Sequence, residues 1–275
     1  MAVNLLSKFG KALDQSFSKG SYTEKAVNND YDFTGAKTID VLTIEPQALQ
    51  DYSRAGTGDR YGGNSELQDT KTSYTLSKDR AFKITIDKGN YQDQGELKKA
   101  GIVLKEQMNK IVYPEIDKHR LLVASKAVTA NSQKVVFKPA DAYDNVLDLN
   151  VFMDEAEVPE SQKYLFVKPS FYKAVKKQIV TTAQAPNTND SFIKKGYVGE
   201  IDGIPVIKVP ASYLPANFEA IMWHKDAMLA PKKIAETRII TDSELVSGSV
   251  LVGRFYYDAF VLNGKKNAVA GITKA

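Results

Sequence analysis

Apolar and polar positions follow distinct periods along this chain, and each period predicts a different element. From Gln94 to Ser125 (QGELKKAGIVLKEQMNKIVYPEIDKHRLLVAS), apolar or small residues recur at Leu97, Gly101, Leu104, Met108 and Ile111. Lys98, Lys99, Lys105, Glu106 and Lys110 fill the opposite face. Steps of three and four are the signature of an amphipathic helix, and Glu106 and Lys110 stand four apart in the favourable order. Pro114 removes one backbone donor and crowds the preceding turn, so the helix either kinks there or ends and restarts. Beyond it the pattern resumes through Ile116, His119 or Arg120, and Leu122 with Val123. An unbroken run would extend roughly 45 Å, against a diameter of about 48 Å for a compact globule of this chain length. Such a helix predicts an elongated subunit built along it.

Residues 38–45, TIDVLTIE, predict a strand, and residues 74–86 alternate between Tyr74, Leu76, Phe82, Ile84 and Ile86 on one side and polar residues on the other. We read these as the two arms of a hairpin. Between them QDYSRAGTGDRYGGNSELQDTK carries Gly56, Gly58, Gly62 and Gly63 and almost no aliphatic residue. A connection this long without a core is uncommon inside a compact domain, which predicts a projecting, flexible hairpin. Further on, NVLDLNVFMDEAEVPE predicts a helix ending before Pro159, YLFVKP a short buried strand, and PSFYKAVKKQ a helix opened by Pro169 and Ser170. GYVGEIDGIPVIKVP predicts two strands turning at Asp202-Gly203. The remainder is largely β, with a short helix at Lys225 to Leu229. Residues 1–35 hold one amphipathic segment, Leu5 through Phe9 and Leu13 to Phe17, followed by a polar stretch. They predict an arm held by the main body or by a neighbouring chain.

Composition narrows the class. With 43% hydrophobic and 10% aromatic residues among 275, the chain can build a real core and is not a disordered protein. No apolar run is long enough to span a bilayer, and the N-terminus has no export-signal pattern, so we expect a soluble protein with no membrane partner. The absence of cysteine excludes disulfides, thiolate metal sites and a cysteine nucleophile. A net charge of +4 from 37 basic and 33 acidic residues is small and dispersed. Within residues 1–35, Lys8, Lys11, Lys19 and Lys25 balance Asp14, Glu24, Asp30 and Asp32, so this segment is not a DNA-clamping arm.

No catalytic constellation emerges. Glu115 and His119 stand four apart on the helix, a spacing that can hold a metal, but a third and fourth ligand are missing, and a plain surface pair accounts for them. His224, before Lys225-Asp226, has no partner nucleophile. FTGAKT at residues 33–38 lacks the glycines of a phosphate-binding loop, and the glycines of GYVGEIDG do not have dinucleotide-binding spacing. Asp154, Glu155 and Glu157 form an acidic cluster that a solvated helix terminus explains as well as a cation site does. Trp223, Tyr256, Tyr257 and Phe260 read as core or interface residues. We therefore expect no catalytic residue, no cofactor and no metal: not an enzyme.

The order of elements, together with YPEIDKHRL (Tyr113 to Leu121), FMDEAEVPESQKYLFVKPSFYKAV (Phe152 to Val175), GYVGEIDGIPVIKVP (Gly196 to Pro210) and HKDAMLAPKKIAETRI (His224 to Ile239) before SVLVGRFYYDAFVL, resembles the tailed-bacteriophage major capsid proteins of the HK97-type fold. The resemblance implies an α+β, HK97-like capsid fold. Residues 1–35 would be an N-terminal arm and 36–93 an extended β-hairpin loop. Residues 94–125 with 220–275 would form a peripheral domain on the long spine helix, and 126–219 a mixed α/β axial domain. Inter-subunit contacts would come from the loop tip, Arg54, Gly56, Gly58, Arg60, Tyr61, Gly62 and Gly63, and from Phe9, Leu13 and Phe17 of the arm. The implied function is self-assembly, through pentamers and hexamers, into an icosahedral shell around double-stranded DNA in the virion, after synthesis in the bacterial host cytoplasm. Contact with that DNA would be nonspecific, and a portal protein would be a further partner. An arm of only 35 residues leaves no room for a built-in scaffolding segment, so the expectation is a separate scaffolding protein. An encapsulin-like nanocompartment shell shares the fold and is the alternative; a soluble α/β enzyme is the rival of another class.

Overall fold

The computed structural model describes residues 20–28, 30–31, 36–55, 58, 60–62, 66–89, 100–128, 133–182, 199–241 and 246–274. Within these, the elements in chain order are β1 (Thr38–Glu45), β2 (Gln68–Thr75), β3 (Lys78–Asp87), α1 (Ala100–Gln107), a π turn (Met108–Val112), α2 (Tyr113–Ala127) and β4 (Lys134–Val136). Next come α3 (Ala142–Glu155), β5 (Lys163–Val167), α4 (Pro169–Thr182), β6 (Glu200–Ile201), β7 (Ile204–Lys208) and β8 (Phe218–His224). The chain closes with β9 (Met228–Leu229), β10 (Lys232–Ile240), β11 (Gly248–Tyr257), β12 (Phe260–Val261) and β13 (Val269–Thr273). Helices and mixed sheets make this an α+β chain of two compact units, Phe33–Leu76, and Met1–Asp32 with Ser77–Ala275.

The smaller unit is an antiparallel hairpin of β1 and β2, in register from Thr38 opposite Thr75 to Glu45 opposite Gln68. The strand expected at 38–45 is present, but its partner is not the alternating segment 74–86. Most of that segment is β3, which belongs to the larger unit and pairs with β11. The true partner, QDTKTSYT, was hidden inside the expected connection because it has almost no apolar residue. Its β-branched threonines favour extended backbone, and polar cross-strand pairs hold it: Thr38 to Thr75 at 2.7 Å, Asp40 to Ser73 at 2.5 Å and to Lys71 at 2.6 Å.

Within the larger unit, six strands run in the order β4-β13-β8-β5-β7-β6. Strands β8 and β13, on the C-terminal side of residue 217, thus share one sheet with β4 to β7. Alternate side chains of the central strands enter two different cores. Leu165 and Val167 of β5, Ala220 and Met222 of β8, and Ala270 and Ile272 of β13 pack with Val146, Leu149 and Met153 of α3 and with Phe171 and Val175 of α4. On the opposite face Phe166, Ile221, Trp223 and Val269 pack with Leu121 and Ala124 of α2. A strand covered on both faces needs no polar alternation, which is why all of FEAIMWH is buried. β6 and β7 turn at Asp202 and Gly203, whose φ values of 51° and 71° suit the Asp-Gly pair.

The other main sheet of this unit, β10-β11-β3, is antiparallel. Phe82 of β3 and Phe255 of β11 stack at 6.2 Å, and with Tyr257 they pack on Val112 and Ile116 of the long helix. That helix is unbroken at Pro114. The π turn just before it absorbs the proline: Tyr113 donates its N–H to the Met108 carbonyl, five residues back, and Pro114 opens α2, where its missing donor costs little. From Ala100 to Ala127 the helix is roughly 40 Å long. The widened turn also resets the apolar stripe. Ile111, expected to face inward, is exposed, whereas Val112 and Ile116 are buried. Gly101 is exposed and Leu104 half-buried, and Leu97 lies outside the described residues.

Candidate functional site

The loop joining β1 to β2 folds back on itself at its end. Ser53 donates its N–H to the Arg60 carbonyl at 3.0 Å, and Tyr52 meets the ring of Tyr61 edge-on at 5.1 Å. Gly62 has φ +89°, a left-handed backbone that favours glycine, and a Cβ there would meet only the movable side chain of Gln50. Of the expected contact residues, Arg54, Gly58, Arg60, Tyr61 and Gly62 are brought to this tip. Gly56 and Gly63, and Phe9, Leu13 and Phe17 of the arm, lie outside the described residues. The tip's apolar side chains face water: Leu49 is fully exposed and Tyr61 81% exposed. Leu42, Ile44 and Leu67 on the hairpin and its flank are more than half exposed.

Sequence reasoning missed a second feature, a strap formed by residues 20–28. Asp117 of α2, buried, accepts hydrogen bonds from Ser21 Oγ at 2.7 Å, Thr23 Oγ1 at 2.6 Å and the Tyr22 N–H at 2.8 Å. Arg120, one turn on and equally buried, donates from Nη1 to Thr23 Oγ1 at 2.9 Å and to Glu24 at 3.0 Å. Lys232 completes the pairing with Glu24. Burial pulls the Glu24 pKa up, but Lys232 and Arg120 outweigh it and hold the carboxyl below its ordinary value. Beyond the clamp Ala26 and Val27 enter the core, and Trp223 Nε1 donates to the Ala26 carbonyl at 2.7 Å. This part of the expected arm is held by the main body. The signal available in the sequence was the unresolved choice between His119 and Arg120 on the helix stripe: Arg120 takes the buried position.

The residues weighed for chemistry are engaged elsewhere. Glu115 pairs with Arg80 at 2.7 Å and His119 with Asp258 at 2.7 Å, so the two do not converge on a shared site. Asp154 is taken by the buried Lys163 at 2.5 Å. His224 caps the turn after β8 by accepting the Asp226 N–H at 3.2 Å, and burial holds its pKa below the usual imidazole value. Ser77, His119 and Asp258 bring together the residue types of a hydrolytic triad in the wrong order. The Ser77 hydroxyl donates to Asp258 at 2.7 Å, so the imidazole receives no proton from it. Among the described residues no group of three or more His, Cys, Asp and Glu could hold a metal ion, and no helix is long and apolar enough to cross a membrane.

Beside the π turn, a groove of about 380 Å³ runs between the long helix and β3–β11, floored by Phe82, Val112, Ile116, Phe255 and Tyr257 and edged by Asp79, Arg80 and Glu115. Burial, then Glu115, push the Tyr257 hydroxyl up to about 12.

No protein-family model matches the chain, and no curated protein sequence does. Solved structures do. The capsid structure of the cyanophage P-SCSP1u superimposes with a TM-score of 0.77 at 12% identity, covering 99% of this chain and 93% of that one. A structure from Mycobacterium phage Che8 gives 0.71 at 13% identity, covering 99% and 98%. The asymmetric unit of the bacteriophage PhiM1 mature capsid gives 0.71 at 12% identity, covering 98% and 92%. The backbone path described above is thus the HK97-like capsid fold over nearly its whole length.

Proposed function

We propose that this chain is the major structural protein of a tailed-bacteriophage capsid, assembling with copies of itself into a closed icosahedral shell around double-stranded DNA. The observation that carries the reading is the reciprocal coverage with capsid structures: 99% of this chain matches 93% of the cyanophage capsid chain. The local geometry agrees with it. A hairpin unit with exposed Leu42, Ile44, Leu49 and Tyr61 has the character of a surface completed by a neighbouring copy. A shell multiplies modest contacts over many identical subunits, and a chain of small net charge does not repel its copies.

In this reading residues 1–35 are the arm, 36–93 the extended loop, 94–125 with 220–275 the peripheral domain and 126–219 the axial domain. Inter-subunit contacts come from the tip residues Arg54 to Gly63 and from Phe9, Leu13 and Phe17. A separate scaffolding protein, a portal protein and nonspecific contact with the packaged DNA belong to the same proposal, as does assembly in the host cytoplasm. Purification of particles from cells carrying the surrounding viral genes tests it through their contents. Nuclease-resistant double-stranded DNA inside shells of this chain is the expected result; shells filled with enzyme and free of DNA would overturn the proposal.

A further inference from the structure

Ser77 is the first residue of the larger unit after the hairpin unit ends at Leu76. It lies between two hydrogen-bonded ladders and belongs to neither. The Leu76 N–H still closes the hairpin, donating to the Lys37 carbonyl at 3.0 Å, and Lys78 already pairs with Tyr257 in the β3–β11 ladder. Ser77 itself is held by a side chain 181 residues away. Its N–H donates to Asp258 Oδ2 at 2.8 Å and its hydroxyl to the same oxygen at 2.7 Å.

The second oxygen of Asp258 is used as fully. Oδ1 accepts the Ala259 N–H at 2.8 Å and meets His119 Nε2, from α2, at 2.7 Å. Asp258 is 5% exposed, so little water is present to replace a lost donor. Burial pulls its pKa up, but His119, Ser77 and the Ala259 N–H outweigh that pull and keep it below the ordinary carboxylate value. The surrounding ionisable groups are linked in turn. The His119 ring lies edge-on to Tyr257 with centroids 6.1 Å apart, the Tyr257 hydroxyl reaches Glu115 at 3.5 Å, and Glu115 pairs with Arg80.

We propose that Asp258, oriented by His119, is a charged latch that fixes the backbone of Ser77, where the chain enters β3. Without it, Ser77 would lose the acceptor of its N–H; with it, the residue that leads into β3 is held before the β3–β11 ladder begins. The latch stands or falls independently of whether the chain builds a shell.

Hydrogen–deuterium exchange on the full chain tests this in the peptide covering residues 74–80. Asp258→Asn keeps the shape and removes the charge, and charge-assisted hydrogen bonds are about twice as strong as neutral ones. Exchange at the Ser77 amide is expected to rise by about tenfold, with the six-stranded sheet unchanged. Ser77→Ala and His119→Gln each remove one member and are expected to accelerate the same amide by about threefold to tenfold. They also keep the test open if Asp258→Asn does not fold. Unchanged exchange at Ser77 in the folded Asp258→Asn protein, or in both milder variants, would overturn the proposal. An equal rise throughout the molecule would overturn it too, because Asp258 would then support the whole fold and not the entry to β3.

Discussion

Replacing Asp117 by alanine removes the group on which the N-terminal strap is assembled. Its carboxylate, 1% exposed, takes three short hydrogen bonds from the strap, those of Ser21 Oγ, Thr23 Oγ1 and the Tyr22 N–H. Bonds to a charged acceptor contribute about 1.5–3 kcal/mol each, but they do not add here, because the freed donors regain water once the strap lifts. The loss is then bounded by what the strap buries. Val27 in the core is worth about 1.5–3 kcal/mol, and the Ala26 carbonyl gives Trp223 Nε1 its acceptor, a bond worth about 1 kcal/mol. Arg120, equally buried, loses its strap partners at the same time. A net destabilisation of about 2.5–4 kcal/mol follows. In urea unfolding of the dispersed subunit that corresponds to a midpoint lowered by about 1–2 M. Residues 20–28 should exchange their amides faster than any other part of the main body. An unchanged midpoint with full protection of the strap would show that Asp117 does not organise it.

Gly253→Val should cost about 1–3 kcal/mol, since even a Cβ at this position would lie 2.4 Å from the Phe82 ring, which is itself stacked on Phe255; thermal denaturation reads the loss. Acid should weaken the fold through Asp258 and Glu24. Both have folded pKa values below the ordinary one, so their stabilising contribution is complete above the unfolded pKa and is lost as pH falls through the folded values. A stability-against-pH curve flattened at its acid limb in Asp258→Asn checks this. Tyr257 behaves with the opposite sign. Held at about 12 in the folded chain, it keeps its proton while the unfolded chain ionises, so stability falls as pH rises between about 10 and 12. Tyr257→Phe should remove that part of the alkaline loss in an equilibrium titration. Truncating Arg254, whose pairing with Asp79 is exposed, should leave the denaturation midpoint unchanged within error.

What could be read from the sequence was whatever a few adjacent residues decide. The turn at Asp202-Gly203 was legible because both residues must take positive φ and the dipeptide accepts it. β1 was legible from the alternation in TIDVLTIE. β2 was not, because its support is polar pairing with β1, which shows only once the partner is known. The long helix was legible as an element but not in phase. Pro114 signalled a disturbance, and one extra residue in the π turn rotated the stripe so that Val112, not Ile111, faces the core. The bonds that hold the strap, and those at Ser77, could not be read from the sequence. Their carboxylates, Asp117 and Asp258, act on residues about a hundred positions away or more, and no local pattern distinguishes a buried aspartate of this kind from a solvated one. For the loop tip, glycine content predicted a turning segment, and the structure adds that one of those glycines, Gly62, has a positive φ.

Whether this chain makes shells can be seen directly by electron microscopy of the protein purified after expression with and without the genes that neighbour its own, alongside its sedimentation profile. Closed shells, or pentamer and hexamer rings that close when a scaffold is supplied, are expected. A stable monomer or small dimer under every condition would contradict the capsid reading.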